Sequence, residues 1–86
     1  VNQPLSIERD VFERTERTFR IVFDDFKMKI HGNMTIQDVE GWDSLVQTQL
    51  VRSIEKEFNL RFSLEELKSL QTVGQLLTLI EKRLQG

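Results

Sequence analysis

Cysteine is absent from this 86-residue chain, and histidine occurs once, at His31. No disulfide and no thiolate metal site can form. The chain has no thiol of its own for covalent chemistry, and one histidine cannot supply a multi-histidine metal site or a Cys–His pair. No run of apolar residues is long enough to span a bilayer. Val1-Asn2-Gln3-Pro4-Leu5 is not a secretory leader, so a cytoplasmic location is expected. The first residue is not Met, as expected of a chain processed or cut from something longer. A formal net charge of −2 argues against a nucleic-acid binder, which needs a basic balance or a basic face.

The length is that of one domain with a modest core, and a single domain over residues 1–86 is expected. Residues Ser6 to Lys27 read as a first helix. Ile7, Val11, Phe12, Phe19, Val22, Phe23 and Phe26 recur at three- and four-residue steps, and Pro4 stands just ahead. Arg9, Arg14, Arg17 and Arg20 alternate with Glu8, Asp10, Glu13 and Glu16, a solvated face with local ion pairs. The helical period then lapses from Met28 to Asp43. Gly32, Asn33 and Gly41 mark a loop, whose scattered apolar residues (Ile30, Met34, Ile36, Val39, Trp42) are expected to pack across the helices. Met34-Thr35-Ile36 has extended character but no evident strand partner.

A second helix is expected over Ser44–Phe58, burying Leu45, Leu50, Val51, Ile54 and Phe58, with Ser44 and Gln47 at capping-box spacing. Asn59 suits the left-handed residue that follows a helix. Ser63-Leu64-Glu65-Glu66 is another capping box, opening a short helix to Leu70 with Leu64, Leu67 and Leu70 inward. Thr72-Val73-Gly74-Gln75 is a third, opening a last helix to Leu84 with Val73, Leu76, Leu77, Ile80 and Leu84 on one side. Gly74 costs about 1 kcal/mol against alanine in a helix interior; close approach of another helix would account for it. The fold class is all-α: a four-helix bundle of three main helices plus one short helix, with a long loop between helices one and two. A monomer is expected.

Chemistry centres on Gly41-Trp42-Asp43-Ser44-Leu45. A serine at a helix start is most simply a cap. The same place has unpaired N–H groups and a positive dipole end, so it also suits a covalently attached phosphate. Asp43 is a cap or a surface charge, Trp42 a loop residue packed on the bundle, and His31 an exposed loop residue without assigned chemistry. Leu50, Ile54, Leu67, Leu70 and Leu77 are core residues by pattern, and the same set can line a cavity.

With these landmarks in order, the chain resembles the acyl carrier protein family of phosphopantetheine-dependent carriers. Asp43-Ser44-Leu45 looks like the family's attachment motif. Ile54-Glu55-Lys56-Glu57-Phe58 with Leu60 is similar to the end of its second helix, and Thr72-Val73-Gly74-Gln75-Leu76 to the start of its last. The resemblance implies that Ser44 receives a 4'-phosphopantetheine arm from coenzyme A, through a phosphopantetheinyl transferase and magnesium. Asp43 would help place that magnesium, and Leu45 completes the motif. Acyl groups would ride on the arm's thiol as thioesters and be presented to acyl-loading and acyl-processing enzymes of fatty-acid, polyketide or specialised pathways. The phosphodiester would sit at a helix N-terminus, where an anion is favoured.

One departure stands out. The family's second helix is often acidic from its start, whereas Val46, Gln47, Thr48, Gln49 and Arg52 occupy the first turns here. Acidity returns only at Glu55 and Glu57. Steering by basic partner surfaces should be weaker, and Arg52 opposes such partners, which favours a dedicated pathway. Two other functions fit the patterning: an aminoacyl or peptidyl carrier, and a small helical interaction module that is never modified. An autonomous hydrolase would require a base for Ser44, and His31 is the one obvious candidate.

Overall fold

The computed structural model describes residues 4–35 and 38–85, with side chains from residue 8 onward. Its helices are α1 (Pro4–Val22), α2 (Ser44–Phe58), α3 (Leu64–Ser69) and α4 (Val73–Gln85). The all-helical expectation holds, as does the long connection between α1 and α2. The expected positions of Ile7's side chain and of Ile36 lie outside the described residues.

α1 begins and ends earlier than its periodicity suggests. Pro4 is inside its first turn, where a missing N–H costs nothing. The far end stops at Val22 because Asp24 adopts the left-handed conformation, φ 53°. The N–H of Asp25 then reaches back to Arg20 O at 2.9 Å, and that of Asp24 to Ile21 O at 3.2 Å, which closes the helix with orphan carbonyls satisfied. Phe26 is therefore not part of the buried stripe; it is 80% exposed. α2 ends in the same way: Asn59 is left-handed (φ 55°) and Leu60 N–H donates to Glu55 O at 3.0 Å.

α1 packs against both α2 and α4. Val11, Phe19, Leu50, Ile54, Val73 and Ile80 are almost wholly buried at the centre. Thr15 is fully buried with them, and its hydroxyl has no hydrogen-bond partner among the described residues. Three expected core leucines face water instead: Leu45 (67% exposed), Leu64 and Leu84. Each lies in the first or last turn of its helix, where the stripe runs past the edge of the neighbouring helices.

The start of the long loop is held by bonds from its backbone to charged side chains of α1. Ile30 is buried, and its N–H donates to Glu16 Oε2 at 3.0 Å. Arg20 Nε donates to Met28 O at 2.7 Å, and Arg20 also pairs with Glu16 at 3.2 Å. Part of α1's charged face thus binds the loop instead of water. Arg14 does similar work across helices. It pairs with Asp10 and with Glu57 of α2, and its guanidinium stacks over Phe58.

Further along, the extended stretch does find a partner. Thr35 forms an isolated antiparallel bridge with Thr72, and Val73 N–H donates to Met34 O at 3.0 Å. Gly74 N–H donates to Gly32 O at 2.7 Å. A β-carbon on Gly74 would stand 2.8 Å from that oxygen. The close approach that Gly74 permits is to the loop backbone, not to another helix.

Candidate functional site

The loop delivers the chain to the start of α2. Gly41 has φ 84°, a conformation that costs glycine little, and lets the chain turn into Trp42. The Trp42 indole is half-buried and meets the rings of Phe19 and Phe23 edge-on, each at 5.6 Å between centroids. Its Nε1–H donates to Gln47 Oε1 at 2.6 Å. Trp42 therefore packs on the bundle as expected, and it anchors the residues on either side of the helix start.

Asp43, not Ser44, is the N-cap. Its backbone is extended, and its Oδ1 accepts from Val46 N–H at 2.9 Å. Its carbonyl accepts from Gln47 N–H at 2.8 Å. The expected capping box between Ser44 and Gln47 does not form, because Gln47's amide is engaged by the indole. The other two capping boxes do form: Ser63 with Glu66, and Thr72 with Gln75.

This shift of one residue sets what Ser44 can do. Ser44 is the first residue of the helix, exposed, with Leu45 exposed beside it. Its carbonyl is occupied by Thr48 Oγ1 at 3.1 Å. Among the described residues its hydroxyl makes no hydrogen bond to another protein group. As first and second helical residues, Ser44 and Leu45 have N–H groups with no intrahelical acceptor. The positive end of the helix dipole lies at the same point. A free hydroxyl next to two donors and a dipole suits a phosphate ester, so the residues present fit a phosphopantetheine group.

Of the residues expected to line a cavity, Leu50 and Leu70 do so. With Trp42, Gln47, Val51 and Val73 they help enclose a small apolar cavity of about 30 Å³ below the helix start. Leu67 lies elsewhere, in an open groove between α2 and α3 with Val51 and Lys68. Ile54 is fully buried and Leu77 packs half-buried against the core; neither lines the cavity. His31 is an exposed loop residue, as expected. Among the described residues no cluster of acidic, histidine or cysteine side chains is arranged to hold a metal ion. No described helix is long and apolar enough to cross a membrane.

A family model described as "Phosphopantetheine attachment site" matches residues 28–80, from the loop through most of α4. That defines the class: a chain bearing covalently attached phosphopantetheine. Acyl carrier proteins of two strains of Buchnera aphidicola subsp. Acyrthosiphon pisum, Tuc7 and APS, are each 34% identical over 71 residues, covering 79% of this chain and 89% of theirs. The solution structure of a holo acyl carrier protein from Geobacter metallireducens superposes with a TM-score of 0.81 at 34% identity, covering 86% of this chain and 85% of that one. The chain belongs to the acyl carrier protein family. Members of this family are carriers, not catalysts; a phosphopantetheinyl transferase modifies them, and they serve acyl-processing enzymes.

Proposed function

We propose that Ser44 carries the arm and that the chain, as one carrier domain over residues 1–86, holds acyl intermediates for the enzymes of a dedicated acyl pathway. The observation that carries this reading is the position of Ser44. It is exposed at the first residue of α2, and its hydroxyl is spared from capping because Asp43 takes that role. Bound there, the arm supplies the thiol on which a thioester forms. The chain's own residues do the rest. Asp43 closes the first turn, and its charge stands beside the serine, where a transferase's magnesium would be placed. The free N–H groups of Ser44 and Leu45 receive the phosphodiester anion. Trp42, clamped between the aromatic cluster and Gln47, keeps the helix start fixed against the core.

The test is incubation with coenzyme A, magnesium and a broad-specificity phosphopantetheinyl transferase, followed by intact-mass and peptide mass spectrometry. The arm's mass is expected on the peptide containing Ser44 and on no other. Adduct formation that survives Ser44→Ala would overturn the assignment. Asp43→Asn retains a cap acceptor but removes the charge, so slower transfer at unchanged stability would assign Asp43 to the transfer step. Identification of the thioester on protein from its natural host separates an acyl from an aminoacyl cargo.

A further inference from the structure

The exposed side of α2 carries an unneutralised positive charge in a chain whose overall charge is negative. Leu45, Thr48, Gln49, Arg52 and Lys56 are all exposed. At three- and four-residue steps they form one stripe, running about 16 Å from the helix start at 1.5 Å per residue. Arg52 borders two open grooves. One, of about 530 Å³, also has Glu55, Lys56 and Arg61 on its walls. The other, of about 350 Å³, lies between α2 and α3 and has Glu55 and Lys68. None of these four cations is in an ion pair among the described residues.

Two of the nearby carboxylates are neutralised by arginines, and a third is held by a neutral N–H. Glu55 Oε2 accepts from Phe62 N–H at 2.8 Å. Glu57 is paired with Arg14. Glu66 is held by Arg83 and by the N–H of Ser63. Glu65 on α3 is exposed and makes no ion pair among the described residues. Four unpaired cations against two carboxylates, Glu55 and Glu65, leave the surface positive. Of the two acidic residues of α2, Glu57 is neutralised by Arg14, whereas Glu55 keeps its charge against the N–H of Phe62.

We propose that this face of α2, with Arg61 and Lys68 at its borders, docks folded protein partners that present carboxylates around an apolar contact for Leu45. The proposal rests on the reading that Ser44 bears the arm, since a partner reaching that serine must approach over the start of α2. Complementary charge steers such partners in, and like charge turns away those with a basic carrier-facing surface. A single exposed leucine at one end is not the apolar face that an interfacial helix inserts into lipid. The stripe also lacks an aromatic side chain on which nucleic-acid bases stack.

The test compares two forms of one phosphopantetheinyl transferase: a form with a basic carrier-facing surface, and one with those cations changed to glutamate. kcat/KM for arm transfer is measured on the full chain, on Arg52→Glu/Lys56→Glu, and on Arg52→Gln/Lys56→Gln, with circular dichroism to establish that all three fold. With the basic form, the glutamate variant is expected to exceed the wild type roughly tenfold, with the glutamine variant between them. With the reversed form the order inverts, and added salt shrinks both differences. Transfer at the same rate to all three chains by both enzymes overturns the docking proposal alone. Absence of any adduct overturns the Ser44 reading and the docking proposal with it. Salt-sensitive binding of the holo chain to phosphatidylserine–phosphatidylcholine vesicles, lost in the glutamate variant, would assign the face to lipid and overturn the protein partner.

Discussion

Gly74→Ala should destabilise this protein, against the ordinary expectation for a helical glycine. In a free helix the change gains up to about 1 kcal/mol. Here the new β-carbon would stand 2.8 Å from Gly32 O and 3.3 Å from both the carbonyl carbon and Cα of Gly32. All three are backbone atoms, so no side chain can swing aside. Apolar contacts are comfortable at about 3.5–4.0 Å, so the loop must retreat. That retreat lengthens the 2.7 Å bond from Gly74 N–H to Gly32 O, worth about 1 kcal/mol. It also disturbs the neighbouring bond from Val73 N–H to Met34 O. Overpacking of this kind costs about 1–3 kcal/mol. Set against the helical gain, the net loss is about 1–3 kcal/mol, or about 4–8 °C in Tm for each kcal/mol in a domain of this size. Urea titration followed by circular dichroism measures it, and an unchanged m-value would show that the loss is one of stability. Gly32→Ala is the internal control: its β-carbon would meet only Gly74 Cα, at 3.8 Å, and its effect should stay within about 0.5 kcal/mol. If Gly74→Ala proves as stable as the wild type, the contact between loop and α4 is not the constraint argued here.

Four further predictions follow from particular side chains. Thr15→Val should raise stability by about 1 kcal/mol in the same titration, because it removes a buried hydroxyl that has no partner among the described residues. Leu45→Ala should leave stability within about 0.5 kcal/mol of the wild type, since the side chain is 67% exposed, whereas Leu50→Ala, in the core, should cost about 2–5 kcal/mol. Asp43→Ala should cost about 1 kcal/mol by loss of the cap, with Asp43→Asn restoring most of it in thermal unfolding. The hydrogen bond from Arg83, then that from Ser63 N–H, hold the Glu66 carboxyl down to about 2 from its ordinary 4.5. Its contribution is therefore present above 4.5 and lost as pH falls through about 2. The stability difference between wild type and Glu66→Gln should shrink over that window and not between pH 5 and 8.

Most of the helical layout was legible in the chain because the signals are local. The bounds of α2, the left-handed Asn59 and the capping boxes at Ser63 and Thr72 each depend on residues within four positions of one another. The i, i+4 period also contained more of the core than an apolar count reveals: Val11, Thr15 and Phe19 are one buried row, with a threonine in the middle. The end of α1 was harder to read, because Phe26 keeps the apolar period while Asp24 breaks the backbone before it.

The proposed attachment serine was legible in sequence alone, since Asp43-Ser44-Leu45 resembles the family's motif and lies at the start of a periodic segment. Only the tertiary structure decided that the hydroxyl is free. Trp42, seated between Phe19 and Phe23, draws Gln47 away from the capping box, and Asp43 caps the helix in Ser44's place. The same distinction governs charge. Sequence counts Glu55 and Glu57 as the acidic part of α2, but the fold neutralises Glu57 with Arg14 and leaves only Glu55, held by the N–H of Phe62, against its cations. What α2 shows to a partner depends on which charges the fold leaves unpaired, and those pairings join residues up to 43 positions apart.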